Sequence, residues 1–318
     1  MSGPTDSARP LTRRQFLRLS AAAAGAAAAA AMAGAASAST GIPRDAVPGM
    51  LIDISRCAGC GACQRACGAA NRLHPSTEQQ QGLSTESLTF VQRVSLEGGD
   101  TRWVKRQCMH CIDAACASAC PVSALHQTAE GPIGYRAERC LGCRYCMVSC
   151  PFDVPRFEWQ KGLTPEIRKC MFCIERLRAG ETPACAAACP AGALKFGARG
   201  SLLQEAHSRI AANSSLVDHV YGEQEAGGTA MLYISDVPFE QLGFRTDVTR
   251  QALPSYTWQV MSKLPMVVGG LAVVLGGASV ISRRRNGSHH DEPDWMRAEA
   301  VPADAQTPHA DTGSGKGA

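Results

Sequence analysis

Cys140-Leu141-Gly142-Cys143-Arg144-Tyr145-Cys146-Met147-Val148-Ser149-Cys150-Pro151 is the most constrained stretch of this 318-residue chain. Its spacing is C-x2-C-x2-C-x3-C-P. Thiolates at i, i+3 and i+6 of one loop can reach three irons of a single 4Fe–4S cubane. The fourth cysteine, opening a short helix, points away towards a second cubane. Proline then ends the run where no backbone donor is needed.

Three further groups surround this one. Cys57, Cys60, Cys63 and Cys67 repeat the spacing, with Gly68 where proline is expected. Cys108, Cys111, Cys116 and Cys120 carry two extra residues in the middle and end on Pro121. Cys170, Cys173, Cys185 and Cys189 carry a longer insertion and end on Pro190. Together the groups use all sixteen cysteines, enough to ligate four 4Fe–4S clusters. A disulfide framework is disfavoured, because tightly repeated C-x2-C pairs are poorly placed to bridge within a loop. Zinc is disfavoured because its pairs come as two separated knuckles, not as three cysteines in a row with a fourth and a proline.

Aromatic residues make up only 5% of the chain, so large rings contribute little to the core. Covalently held clusters would substitute for part of it, because metal-binding free energy becomes folding free energy. The formal charge is +4. Sixteen thiolates around four oxidised cores of roughly +2 each would add about −8, leaving a loaded protein near −4. An acidic holoprotein does not suit nucleic acid, whose phosphates demand a cationic surface.

Residues 1–38 read as an export signal. Arg13-Arg14 lies in a twin-arginine context, an alanine-rich run follows, and Ala36-Ser37-Ala38 offers a cleavage site. Leu51 to Ile54 reads as a strand entering the first ligand loop, and residues 76–100 as a polar loop or insertion. Arg102-Trp103-Val104-Lys105 leads into the second group, with Trp103 as a packing residue. Val122 to His126, a Gly131-Pro132 turn and Tyr135 to Arg139 read as strand, turn and strand between the second and third groups. His126 is a packing or surface residue there. Ala191 to Gly197 echoes Val122 to Leu125, the mark of a pseudo-repeat. Arg56, Arg65, Arg106, Arg139, Arg144, Lys169 and Arg176 flank the ligand loops, where cations would favour the reduced, more negative cluster. Ser201 to Gln204 reads as a capping box opening a helix to about Ala212, and Ala230 to Ile234 as a strand. Leu264 to Ser282 has no charge over nineteen residues and precedes Arg283-Arg284-Arg285, the pattern of a membrane helix with its cytoplasmic flank. Tyr256 and Trp258 mark the opposite interface. Residues 286–318 are polar and are expected to be disordered, and His289-His290 carries no weight as a metal site.

On these motifs the chain resembles the four-cluster iron–sulfur subunits of membrane-bound bacterial oxidoreductases. That family includes formate dehydrogenase beta subunits and subunits related to dimethyl sulfoxide reductase. The twin-arginine signal, the four cysteine groups, the anchor, Val220 to Glu223, Gly227 to Thr229 and Val237 to Glu240 are most similar to the ferredoxin-type subunit of the hydrogenase 2 operon. By spacing alone, the third group could pair with the second or with the fourth. The resemblance implies that the second pairs with the third and the first with the fourth. One cluster would then take Cys57, Cys60, Cys63 and Cys189, and another Cys170, Cys173, Cys185 and Cys67. A third would take Cys108, Cys111, Cys116 and Cys150, and the last Cys140, Cys143, Cys146 and Cys120. Gly68 departs from the family pattern and is expected to loosen its turn; the anchor is short.

The expected fold is α+β: two interlocked bacterial-ferredoxin-like modules with long loops, plus a C-terminal transmembrane helix. Its divisions are the signal at 1–38, a first half with an insertion at 39–107, an inserted two-motif module at 108–156 and the second half at 157–200. A docking extension follows at 201–255, then the helix at 264–282 and the tail at 286–318. The implied function is electron relay on the periplasmic side of the membrane, with no catalytic residues in this chain. The implied partners are a nickel–iron hydrogenase and an integral quinone-reactive subunit. Formate dehydrogenase or a dimethyl sulfoxide or polysulfide reductase is the alternative catalytic partner, and a structural zinc protein the distant rival.

Overall fold

The computed structural model describes residues 42–73, 82–162 and 165–285. The signal, the glutamine-rich part of the 76–100 segment and the polar tail lie outside them. Contacts divide the chain into one compact unit ending at Ser262 and a second beginning at Lys263.

The first unit begins with β1 (Pro48–Asp53), which leads through a 3-10 turn into the first ligand loop and α1 (Ala62–Asn71). A hairpin of β2 (Phe90–Ser95) and β3 (Thr101–Arg106) follows. The second group carries α2 (Ala115–Ser118), then the hairpin of β4 (Leu125–Gln127) and β5 (Ile133–Tyr135). The third carries α3 (Tyr145–Val148), then the short pair β6 (Arg156–Phe157) and β7 (Ile167–Arg168). The fourth carries α4 (Ile174–Arg178) and α5 (Ala184–Ala187) before β8 (Leu194–Ala198), α6 (Arg199–Ala212) and β9 (Met231–Ile234). The unit closes with α7 (Leu253–Met261).

The central sheet has the order β8-β1-β9. β1 pairs antiparallel with β8, Met50 opposite Phe196, and parallel with β9, Met50 opposite Met231. Alternate residues face opposite ways along a strand. Leu51, Leu232 and Ile234 pack against Leu202, Ala206 and Ile210 of α6. Met50, Ile52, Met231 and Tyr233 face the main core with Phe172, Tyr221, Phe239 and Phe244. Aromatic residues are scarce in the chain but concentrated here: Tyr221 and Phe244 lie 4.7 Å apart, and Tyr233 and Phe244 5.0 Å. A second small core joins Ala114, Leu125, Ile133 and Cys146 of the two-motif segment to Ile167 beyond it.

Three local expectations change. Residues 90–95, assigned to a polar insertion, form β2, because they find their pairing partner in β3. α6 starts at Arg199 with no side-chain cap, so Ser201 lies inside the helix and the capping box does not form. Gly68 does not loosen a turn. The helices before Pro121, Pro151 and Pro190 are each four residues long, whereas α1, lacking that proline, runs for ten. Proline disfavours helical geometry in the residue before it, so its absence lets α1 continue through Gly68 to Asn71.

In the second unit, α8 (Leu264–Arg285) exposes Val267, Leu271, Val274 and Ile281. The stretch Leu253–Ser282, 30 residues, is apolar and long enough to cross a membrane.

Candidate iron–sulfur sites

All four ligand loops make the same backbone turn. The residue before each second cysteine has positive φ: Gly59 at 68°, His110 at 46°, Gly142 at 68° and Phe172 at 56°. Only two of these are glycine. Left-handed backbone costs about 1–3 kcal/mol in other residues and persists where packing over-determines it. His110 and Phe172 are both buried, their rings 5.2 Å apart. The turn aims backbone N–H groups at sulfur: Gly142 donates to Cys140 Sγ at 3.4 Å and Phe172 to Cys170 Sγ at 3.3 Å. Ala124 N–H donates to Cys120 Sγ at 3.2 Å. Such donors stabilise thiolate and the added charge of a reduced cluster.

All sixteen cysteines are free thiols. Cys57, Cys60, Cys63 and Cys189 line one cavity, walled by Ile52, Val91 and Leu194. Cys67, Cys170, Cys173 and Cys185 line a second, walled by Leu88, Phe172 and Pro183. Each quartet draws on two cysteine groups far apart in sequence. In the two-motif segment, burial first and then Cys108, Cys116 and Cys150 push the Cys111 thiol well above its ordinary range. Burial and then Cys140, Cys120 and Cys143 push Cys146 up to about 11. Among the described residues no three His, Cys, Asp or Glu side chains converge on the scale of a single metal ion. The quartets instead surround volumes. Four soft donors around an apolar volume, with N–H groups aimed at sulfur, fit a 4Fe–4S cubane.

Burial raises Cys67 from 9.0 to about 12 despite the opposing charge of Lys105. Below pH 9 this thiol is protonated in folded and unfolded chains alike. As pH rises towards 12, only the unfolded chain releases its proton, so folded stability falls. The iron-free chain is expected to unfold at progressively lower urea as pH rises above 9. A flat urea midpoint from pH 8 to 11 would contradict this burial.

The cations picked out in sequence divide between the ligand loops and other partners. Arg65 donates to Cys60 O, Arg106 stacks 4.2 Å from the Phe244 ring, Arg144 lies 5.0 Å from the Trp159 ring, and Arg176 pairs with Glu181. Of the seven, only Lys169 is buried; it donates to Ile133 O at 2.6 Å and Cys170 O at 3.0 Å. Sequence reading missed Lys105, 1% exposed between the first two cavities, because a lysine on an alternating strand reads as solvent-facing. Trp103 packs across the first loop, its ring filling the space a Cβ on Gly59 would need. His126 lies on β4 with Nδ1 3.3 Å from Ala124 O.

A family model described as a 4Fe-4S dicluster domain matches residues 100–199. The chain is 40% identical to a protein of Nitratidesulfovibrio vulgaris over 92% of this chain and 81% of the relative. It is 31% identical to the Hydrogenase-2 operon protein HybA of Escherichia coli O157:H7, over 89% of this chain and 99% of HybA. It is 36% identical to the nitrate-inducible formate dehydrogenase iron-sulfur subunit of Escherichia coli K12, over 58% of this chain and 66% of the relative. With sixteen cysteines set in shared ligand-loop geometry and this similarity along most of its length, the chain belongs to the family of iron–sulfur electron-transfer subunits that includes HybA and the formate dehydrogenase iron–sulfur subunits.

Proposed function

We propose that the chain carries four 4Fe–4S clusters on the periplasmic side of a membrane and relays electrons between a nickel–iron hydrogenase and a membrane quinone-reactive subunit. The observation that carries this reading is the pair of cavities, each walled by four cysteines from two separate groups. The clusters would supply one-electron redox chemistry. The protein orients their ligands through the left-handed turns, holds N–H donors on sulfur and buries Cys63, Cys67, Cys108, Cys146 and Cys185. The same quartets support two ferredoxin-like modules interlocked through the first and fourth groups, with residues 108–156 as the inserted module. Similarity to HybA covers nearly the whole chain, including the C-terminal extension, and favours hydrogenase.

The relay needs surface openings at its ends. Cys60 and Cys143 are the two exposed cysteines. Around Cys143, Leu141 is 70% and Val148 88% exposed, an apolar apron suited to a partner subunit. α7, which leads into the apolar C-terminal stretch, lies alongside α2 of the two-motif segment. Ending the chain after Ser262 is expected to move the protein from membranes to the soluble fraction while iron content stays unchanged. Retention on membranes stripped of partner subunits would contradict an anchoring role for α8.

The higher identity to a formate dehydrogenase subunit, over 58% of the chain, favours a second reading, in which the catalytic partner is a molybdenum enzyme. Affinity purification from detergent-solubilised membranes decides between them. Nickel in stoichiometric amount is expected, and molybdenum without nickel would overturn the hydrogenase assignment.

A further inference from the structure

Among the described residues, Lys105 alone lines both the Cys57/Cys60/Cys63/Cys189 cavity and the Cys67/Cys170/Cys173/Cys185 cavity. It stands on β3 opposite Val91, and its Nζ donates to Thr89 Oγ1 at 2.8 Å. That hydroxyl carries no charge, and neither cavity wall contains an aspartate or glutamate. A buried ammonium is costly unless negative charge offsets it. The negative groups available on either side are cysteine sulfurs. Cys63 of the first quartet and Cys185 of the second are both buried in the main core, at 9% and 8% exposure.

We propose that Lys105 is a shared counter-charge for the two clusters held by these quartets, raising the reduction potential of both and easing their simultaneous reduction. Each cluster gains negative charge when it takes an electron, and a fixed cation in the wall between them stabilises that charge on either side. A purely structural side chain at this position would be apolar, since methionine fills similar volume without desolvating a charge. Thr89 fixes the ammonium in place, and its Oγ1–H donates in turn to Arg106 O at 2.9 Å. The proposal rests on the four-cluster reading.

The test uses the full-length protein purified in its membrane complex, comparing the unmutated chain with Lys105→Met and Lys105→Arg. Iron and sulfide content of the unmutated protein tests the four-cluster reading separately. Redox titration followed by electron paramagnetic resonance tests Lys105. Expected for Lys105→Met is unchanged iron with two clusters shifted to lower potential. Their reduced-to-oxidised ratio at fixed potential should fall by at least about tenfold, 59 mV for one electron. The other two clusters should not move, and Lys105→Arg should stay close to the unmutated protein. Full cluster content with all potentials unmoved in Lys105→Met would overturn the proposal. If Lys105→Met loses iron, Lys105→Arg decides: retention of both clusters supports the charge, and equal loss shows that lysine shape alone matters and overturns it.

Discussion

Replacing Cys185 with serine is expected to remove one cluster and weaken the fold around it. Iron should fall from roughly sixteen to roughly twelve per chain if one cubane is lost and three remain. Cys185 is 8% exposed, shares its cavity with Cys67, Cys170 and Cys173, and belongs to the main core with Phe172 and Tyr233. Serine offers a harder oxygen donor that iron–sulfur chemistry disfavours. The hydroxyl would also be left in an apolar surrounding, and an unsatisfied buried donor costs about 1–3 kcal/mol. Cys143→Ser should lose a cluster as well, but Cys143 is exposed, so the fold should lose less. Iron analysis and urea unfolding of the two variants separate ligand loss from core damage. Cys185→Ser with full iron content and unchanged electron transfer to quinone would remove this residue from the ligand set.

The second large effect is expected at Gly59→Ala. An added Cβ would lie 2.3 Å from Trp103 Cδ2 and 2.4 Å from Cε2. These are positions no real contact tolerates, and the indole is a rigid two-ring group on a strand. Glycine also holds φ at 68° here, where alanine is strained. The clash adds to the backbone cost: left-handed strain amounts to about 1–3 kcal/mol, and overpacking that forces backbone shifts adds about 1–3 kcal/mol. The loop between Cys57 and Cys60 must move to relieve it, so loss of the cluster in that cavity should accompany the destabilisation. Trp103→Ala combined with Gly59→Ala should recover the clash but not the φ strain. Stability that failed to improve in the double variant would show that backbone conformation, not the indole, makes glycine necessary.

Much of the site was legible because thiol ligands are bound to their spacing. Cysteine grouping, the Cys-Pro ends and the β1 strand follow from local sequence, but Cys150 does not open a helix: the short helices end at Ser118, Val148 and Ala187, ahead of the last cysteine of each group. What was not legible depends on partners distant in sequence. β2 is polar on its own and becomes a strand because β3 pairs with it. The turns at His110 and Phe172 resemble those at Gly59 and Gly142, yet neither residue announces a positive φ; buried packing imposes it. Lys105 follows Val104 with both buried, breaking the alternation that would have turned one to solvent, because cavities lie on both sides of it. Aromatic content, read as a sign of a poor core, misled for a related reason. Tyr221, Tyr233, Phe239 and Phe244 are few but are gathered at one face of the central sheet.

The most direct test of the account is iron and acid-labile sulfide per chain in anaerobically purified full-length protein, with zinc measured alongside. About sixteen irons and sixteen sulfides, in brown protein with reducible paramagnetic centres, are expected for four cubanes. Eight irons or fewer after full reconstitution, or about four zincs in colourless protein, would contradict it.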